Sequence, residues 1–191
     1  MKKLILSAVL FMSIISFVSA QKTTWNLDKV HSKLTFTVVH LSMSEVDGVF
    51  KDYSATITTT KEDFSDAVFE VTANLTSVST NNEMRDGHLQ KEDMFNTAEH
   101  PELTFKSTGI EKVGEKTFKL TGDLTIKGIT KEVVLDLKLM GTGTNPRSKK
   151  EMAGFKITGT IDRTDFGVGD APDMMISEEI VLSASGEFEK N

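Results

Sequence analysis

Apolar side chains recur at every second position through most of the chain, the spacing of strands that bury one face. Leu34, Phe36, Val38 and His40 fall on one side of a first strand, with Lys33, Thr35 and Thr37 opposite. Tyr53, Ala55 and Ile57 form a second such face, and Ala67, Phe69, Val71, Ala73 and Leu75 a third. Leu103 and Phe105 follow Pro101. A fifth strand carries Phe118, Leu120, Leu124 and Ile126 across Gly122. The last three present Val133, Leu135, Leu137 and Leu139; then Ala153, Phe155, Ile157, Gly159 and Ile161; then Ile180, Leu182, Ala184, Gly186 and Phe188. The pattern predicts an all-β domain of eight strands.

The connections are short. Val113-Gly114-Glu115, Lys127-Gly128-Ile129-Thr130 and the run from Gly141 to Pro146 carry turn residues. Links of this length join antiparallel neighbours, because a parallel crossover needs a dozen residues or more. Gly122, Gly159 and Gly186 lie inside strands, where they permit bends or bulges of the kind that curl a sheet. Alternation is lost from Asn82 to Phe95, and capping residues with short apolar spacing predict one or two helical turns over one end of the sheet.

The first twenty residues differ from the rest. Lys2 and Lys3 precede an apolar stretch from Leu4 to Val18, then Ser19-Ala20 and a polar Gln21-Lys22. This three-part order predicts a secretory signal peptide cleaved after Ala20, leaving residues 21–191 as one domain in the periplasm or outside the cell. The stretch is short for a membrane span of about 20 residues. No second long apolar run follows, so no integral span is expected after cleavage.

Composition narrows the chemistry. The chain has 191 residues and a net charge of −6, which argues against a nucleic-acid partner. It has no cysteine, which excludes disulfides, thiolate nucleophiles and Cys-ligated metal centres. No metal site and no cofactor are expected. A set of eight strands with one apolar face closes as a barrel or packs as a sandwich. If closed around a hollow, the inward residues are apolar, so the guest is apolar too. A solid core is the competing reading of the same pattern.

Several stretches carry a family resemblance. They are Trp25 to Asp28 with Val30-His31-Ser32, Leu34 to Phe36, Val39-His40-Leu41, and Gly48-Val49-Phe50. Met84-Arg85-Asp86, His88-Leu89, Phe95 and His100 to Phe105 follow, then Gly122 to Lys131 and Ile161 to Gly167. Together they resemble the YceI-like family of exported polyisoprenoid-binding proteins. The resemblance implies an eight-stranded antiparallel, lipocalin-like barrel that encloses a polyisoprenoid or another long-chain lipid, for storage or transport, with no assigned catalytic activity. Gly87, between Asp86 and His88, departs from the family pattern.

The expected apolar cavity residues are Phe36, Val38, Phe69, Val71, Phe105, Leu120, Leu135, Leu137, Phe155, Ile157 and Leu182, with His40 on the same face. Arg85, His88 and Arg163 are head-group candidates at the mouth. Competing readings are an Arg85–Asp86 pair that pins the helical segment, and a turn network of Arg163 with Asp162 and Asp165. The rival function is an enzyme acting on a lipid or isoprenoid with His40, His88 and Arg85 as acid–base groups, which requires those groups to converge inside the cavity. The combination of Asp28, His31 and Ser32 on one short segment is a poor nucleophilic triad. Oligomeric state is open, a homodimer included.

Overall fold

The computed structural model describes residues 21–191; the expected signal peptide lies outside the described residues. Ten strands are joined in one antiparallel sheet: β1 (Thr23–His40), β2 (Ser44–Phe50), β3 (Tyr53–Thr59), β4 (Val68–Asn74), β5 (Val78–Ser79), β6 (Glu102–Lys112), β7 (Thr117–Ile126), β8 (Ile129–Thr144), β9 (Glu151–Asp162) and β10 (Glu179–Lys190). Among the described residues one short α-helix, α1 (Glu83–Leu89), precedes β6. Eight strands close a barrel in the order β1, β3, β4, β6, β7, β8, β9, β10, with β10 returning to pair along β1. The remaining two, β2 and β5, extend one end of the wall beyond that ring.

All eight strands expected from the alternation are present, and their apolar faces point inward. Phe69, Ala73, Phe105, Phe118, Leu120, Leu135, Leu137, Phe155 and Phe188 are buried in one continuous core. β1 is longer than its alternation suggests. It pairs with β10 on both sides of a three-residue bulge, Asp28 opposite Glu187 and Ser32 opposite Gly186. The odd insertion moves the inward set from Trp25 and Leu27 to Leu34 and Phe36, so the sequence period breaks while the strand continues. Inside the bulge's inner corner, Tyr53 donates its hydroxyl hydrogen to Ser32 Oγ at 2.8 Å.

The expectation that strand glycines accompany bulges holds for two of the three. Gly186 and Gly122 stand directly across from the register shifts at Asp28/Ser32 and Ser107/Gly109, where a bulge was expected; Gly159 sits in regular pairing, and a third shift falls at Leu139/Gly141. All three also make room for neighbours: a Cβ on Gly122 would stand 2.6 Å from the Phe105 ring, and one on Gly159 2.3 Å from Leu135 Cδ2. The Lys127-Gly128 turn behaves as expected. Both residues have positive φ, 52° and 74°, and they join Ile126 to Ile129 in a two-residue hairpin of the primed type.

Strand ends sort the barrel into two poles. The starts of β6 and β10 and the ends of β1, β7 and β9 meet at one pole with β2, β5 and α1. At the other, Trp25, Phe64, Phe69, Phe155 and Phe188 fill the interior. Phe155 stands edge-on to Phe64, Phe69 and Phe188 at 5.0, 5.3 and 5.9 Å between ring centres, and Trp25 lies 5.2 Å from Phe64.

Candidate functional site

The first pole holds an apolar cavity of about 290 Å³. Phe36 and Val38 of β1, Val46 and Phe50 of β2, Ile161 of β9 and Leu182 of β10 form much of its wall, and Leu89 at the end of α1 covers it together with Met94 and Phe95 from the segment that follows. The cover exists because the chain caps itself there. Asn82 accepts a hydrogen bond from the Arg85 amide at 3.0 Å and starts α1. The Phe95 amide then bonds back to the Leu89 carbonyl and folds the following loop over the opening. Phe50 contacts Phe36 and Phe95 at 5.6 and 6.2 Å, linking wall to cover.

This is a smaller hollow than the sequence suggests. Of the expected cavity residues, Phe36, Val38 and Leu182 line it. Phe69, Val71, Phe155 and Ile157 surround a separate space of about 40 Å³, and Phe105, Leu120, Leu135 and Leu137 are packed into the core. Alternation identifies which residues face inward; whether they line a space or fill it depends on side-chain volume, and the five-ring aromatic cluster fills the second pole. Val46, Phe50, Leu89, Met94 and Phe95 are cavity residues that the alternation does not mark, because they come from β2 and the cover, where the period is interrupted.

His40 does not belong to the cavity. It is exposed at the end of β1, where its backbone forms a bridge with Ile176. The last pair of β1 lies beyond the closed part of the barrel, so the inward face there meets solvent.

Arg85 and His88 are exposed but line the cavity mouth. The anticipated Arg85–Asp86 pair is replaced by a shared partner, the buried Thr80. Arg85 donates from Nε to Thr80 Oγ1 at 2.7 Å and from Nη2 to the Thr80 carbonyl at 2.9 Å. Asp86 accepts from the Thr80 amide and hydroxyl at 2.7 and 2.6 Å. The hydroxyl bond, the amide and the Arg85 charge hold the Asp86 carboxyl below its ordinary range against the opposing effect of burial. Arg85 Nη1 makes no hydrogen bond among the described residues, so one edge of the guanidinium is open at the mouth. His88 pairs through Nε2 with Asp93 at 3.1 Å. Gly87 sits in α1 with no atom near where a Cβ would stand.

Arg163 is no free cation. It is buried, and its five N–H donors meet five backbone carbonyls: Ser177, Val168, Gly169, Ala171 and Ile176, at 2.6–3.1 Å. It ties the loop after β9 into a second cover over the cavity. The network with Asp162 and Asp165 is absent in that form: Asp162 caps Thr164, and Asp165 faces Lys131 at 3.5 Å.

Other polar groups lie elsewhere. Asp28, His31 and Glu187 bring ligand atoms within 4.8 Å of one another at the β1 bulge, on the outer surface. The His31 hydrogen bond, then the Val30 amide, lowers the Asp28 pKa, and Asp28 raises that of His31. Ser32 bonds to Tyr53 rather than to His31, so the three do not form a nucleophilic triad. A larger hollow of about 500 Å³ at the opposite pole is open and polar, edged by Thr23, Thr59, Thr60, Thr142 and Thr144. Apolar walls single out the smaller cavity as the candidate site.

The YceI-like domain profile matches residues 25–188. The chain belongs to the YceI-like family. Protein YceI of Escherichia coli O157:H7 is 36% identical over 193 residues, covering 100% of both chains. Among solved structures, the YCEI protein of Campylobacter jejuni matches with a TM-score of 0.73 and 36% identity, over 80% of this chain and 90% of that one. A polyisoprenoid binding domain of Saccharophagus degradans matches with a TM-score of 0.65 and 17% identity, over 87% and 98%. The eight-stranded barrel of this YceI-like chain, with its two added strands and one helix, is therefore a shared architecture. Among the described residues of the YceI-like chain, no helix is long and apolar enough to cross a membrane.

Proposed function

We propose that the protein is an exported carrier that shelters the tail of a polyisoprenoid or similar long-chain lipid in the apolar cavity, for storage or transport. The observation that carries this reading is the cavity itself: a hollow walled by Phe36, Val38, Val46, Phe50, Ile161 and Leu182, with Arg85 at its mouth. Such walls offer an unpaired polar guest no compensation for lost hydration, and they reward an apolar one with roughly 0.8 kcal/mol per buried methylene before ordering costs. Membership of the YceI-like family and the described ligand class of the Saccharophagus degradans domain support the same guest.

Taking a methylene as about the size of one water, whose share of liquid volume is about 30 Å³, the cavity holds on the order of ten carbons. That matches the first two isoprene units of a chain. A longer tail needs side chains of the layer beneath to move, or leaves its remainder outside. The open Nη1 edge of Arg85 is placed to meet a polar or anionic head. The enzyme alternative needs His40, His88 and Arg85 together, and His40 stands outside the cavity. Titration with prenyl alcohols of rising length tests the carrier reading. Affinity should increase up to the length that fills the cavity, and Leu182→Trp should weaken it; indifference to both would overturn it.

A further inference from the structure

The cavity mouth is ringed by apolar side chains that point away from the core. Met43 is 86% exposed, Met174 79%, Met175 52% and Leu41 45%, and Met84 on α1 is 87% exposed. They come from three segments, each of which also supplies cavity wall. The tip between β1 and β2 carries Leu41 and Met43 and is flanked by Val38 and Val46; the loop before β10 carries Met174 and Met175 between Ala171 and Ile176; Met84 adjoins Arg85. Two of these segments are fastened together. The Leu41 amide donates to the Met175 carbonyl at 2.9 Å; the Ser177 amide donates to the Val39 carbonyl and the Val39 amide donates to Ser177 Oγ, both at 2.9 Å. Arg163 holds the loop from beneath through Ala171 and Ile176. Leu41 and Ser42 both have positive φ, 52° and 53°, which closes the tip tightly.

We propose that this rim docks on the surface of a lipid bilayer with the cavity mouth facing the acyl chains. The inference rests on the carrier reading and deepens it by naming where the guest is taken up. A long apolar chain that crossed open water to reach the cavity would expose every methylene on the way; a rim seated in the interface removes that exposure. Flexible methionines suit a disordered surface better than shaped anchors would. Charge selects the kind of bilayer. Glu45, Asp47, Glu83, Asp173, Glu178 and Glu179 are exposed around the rim and outnumber the exposed cations nearby, Arg85, Lys51 and Lys91. The rim therefore inserts by apolar contact into a neutral, zwitterionic surface and is repelled by an anionic one.

The test uses protein recovered after export from a bacterial host, its N-terminus fixed by mass spectrometry. Flotation with phosphatidylcholine vesicles should carry the wild type upward. Met43→Glu combined with Met174→Glu should reduce the floated fraction about tenfold or more. That variant should still take up farnesol from vesicle-free solution, which shows that fold and cavity are intact. Replacing part of the phosphatidylcholine by phosphatidylglycerol should weaken flotation at low salt, and added salt should restore it. Met43→Trp should report insertion by a blue shift on neutral vesicles, against the buried Trp25, the chain's one native tryptophan. Failure of the wild type to float overturns the docking, as does equal flotation of the double Glu variant. Self-association abolished by the Glu changes, with no vesicle binding, overturns it in favour of an interface between copies. Flotation without farnesol uptake supports docking while contradicting the carrier reading.

Discussion

Phe36 lies across the backbone of Gly48, its partner on the neighbouring strand: a Cβ on Gly48 would stand 2.1 Å from Phe36 Cζ and 2.3 Å from Cε1. The ring fills the slot where a β2 side chain would project, then continues against Phe50. Glycine is required here by the close approach, and Phe36 owes its place in the cavity wall to it.

Gly48→Ala should therefore push the Phe36 ring into the cavity. The expected cost is about 1–3 kcal/mol of stability, the range for overpacking a core, together with weaker uptake of a prenyl alcohol. Thermal unfolding and a farnesol titration on the same preparation check both; unchanged values in each would show that the ring moves aside freely.

Arg163 should prove structural. Arg163→Lys keeps the charge but replaces five planar donors with three on one atom. Several of the carbonyls at Val168, Gly169, Ala171, Ile176 and Ser177 then lose their partner, at an expected cost of about 2–4 kcal/mol. Hydrogen exchange should localise the loss to residues 168–177. A stable variant that lost only lipid binding would instead return Arg163 to the role of head-group cation.

Asp66 sets part of the acid sensitivity. Burial alone would raise its pKa, but the Thr59 and Thr60 hydroxyls and the Thr60 and Lys61 amides overcome that and hold it at about 2. The carboxylate is favoured in the folded state, so its contribution is full above the ordinary value of 3.8 and fades as pH falls toward 2. Asp66→Asn should be less stable than the wild type at pH 7, and the difference should shrink between about pH 4 and 2. Asp63, held at about 2 chiefly by hydrogen bonds from Ser65 and Lys112, contributes to the same acid limb, as do Asp28, Asp86, Asp93 and Asp162, whose carboxyls are also held below their ordinary range. Denaturant titrations at several pH values measure the gap; one that stays constant down to pH 2 would contradict this account.

The barrel was legible because one face of each of its eight strands is buried, and burial writes itself into the sequence as period two. Legibility failed where a backbone device interrupts the period. At Gly48 the apolar position of β2 is occupied by a ring from Phe36. At Asp28–Ser32 a three-residue bulge changes the parity of the inward set, so the half of β1 around Trp25 and Leu27 went unrecognised. The cavity was legible only in chemistry, as an apolar interior. Its extent depends on how Trp25, Phe64, Phe69, Phe155 and Phe188 pack against one another across the barrel, which no local pattern records. Arg163 could not be assigned for a similar reason: its partners are carbonyls from the loop after β9, and backbone carbonyls carry no sequence signature.

Organic-solvent extraction of the exported protein, followed by mass spectrometry of the extract, tests the carrier reading most directly. An isoprenoid or other long-chain lipid should co-purify with the wild type and diminish in Leu182→Trp. Extracts free of lipid, together with no uptake of added isoprenoids, would contradict it.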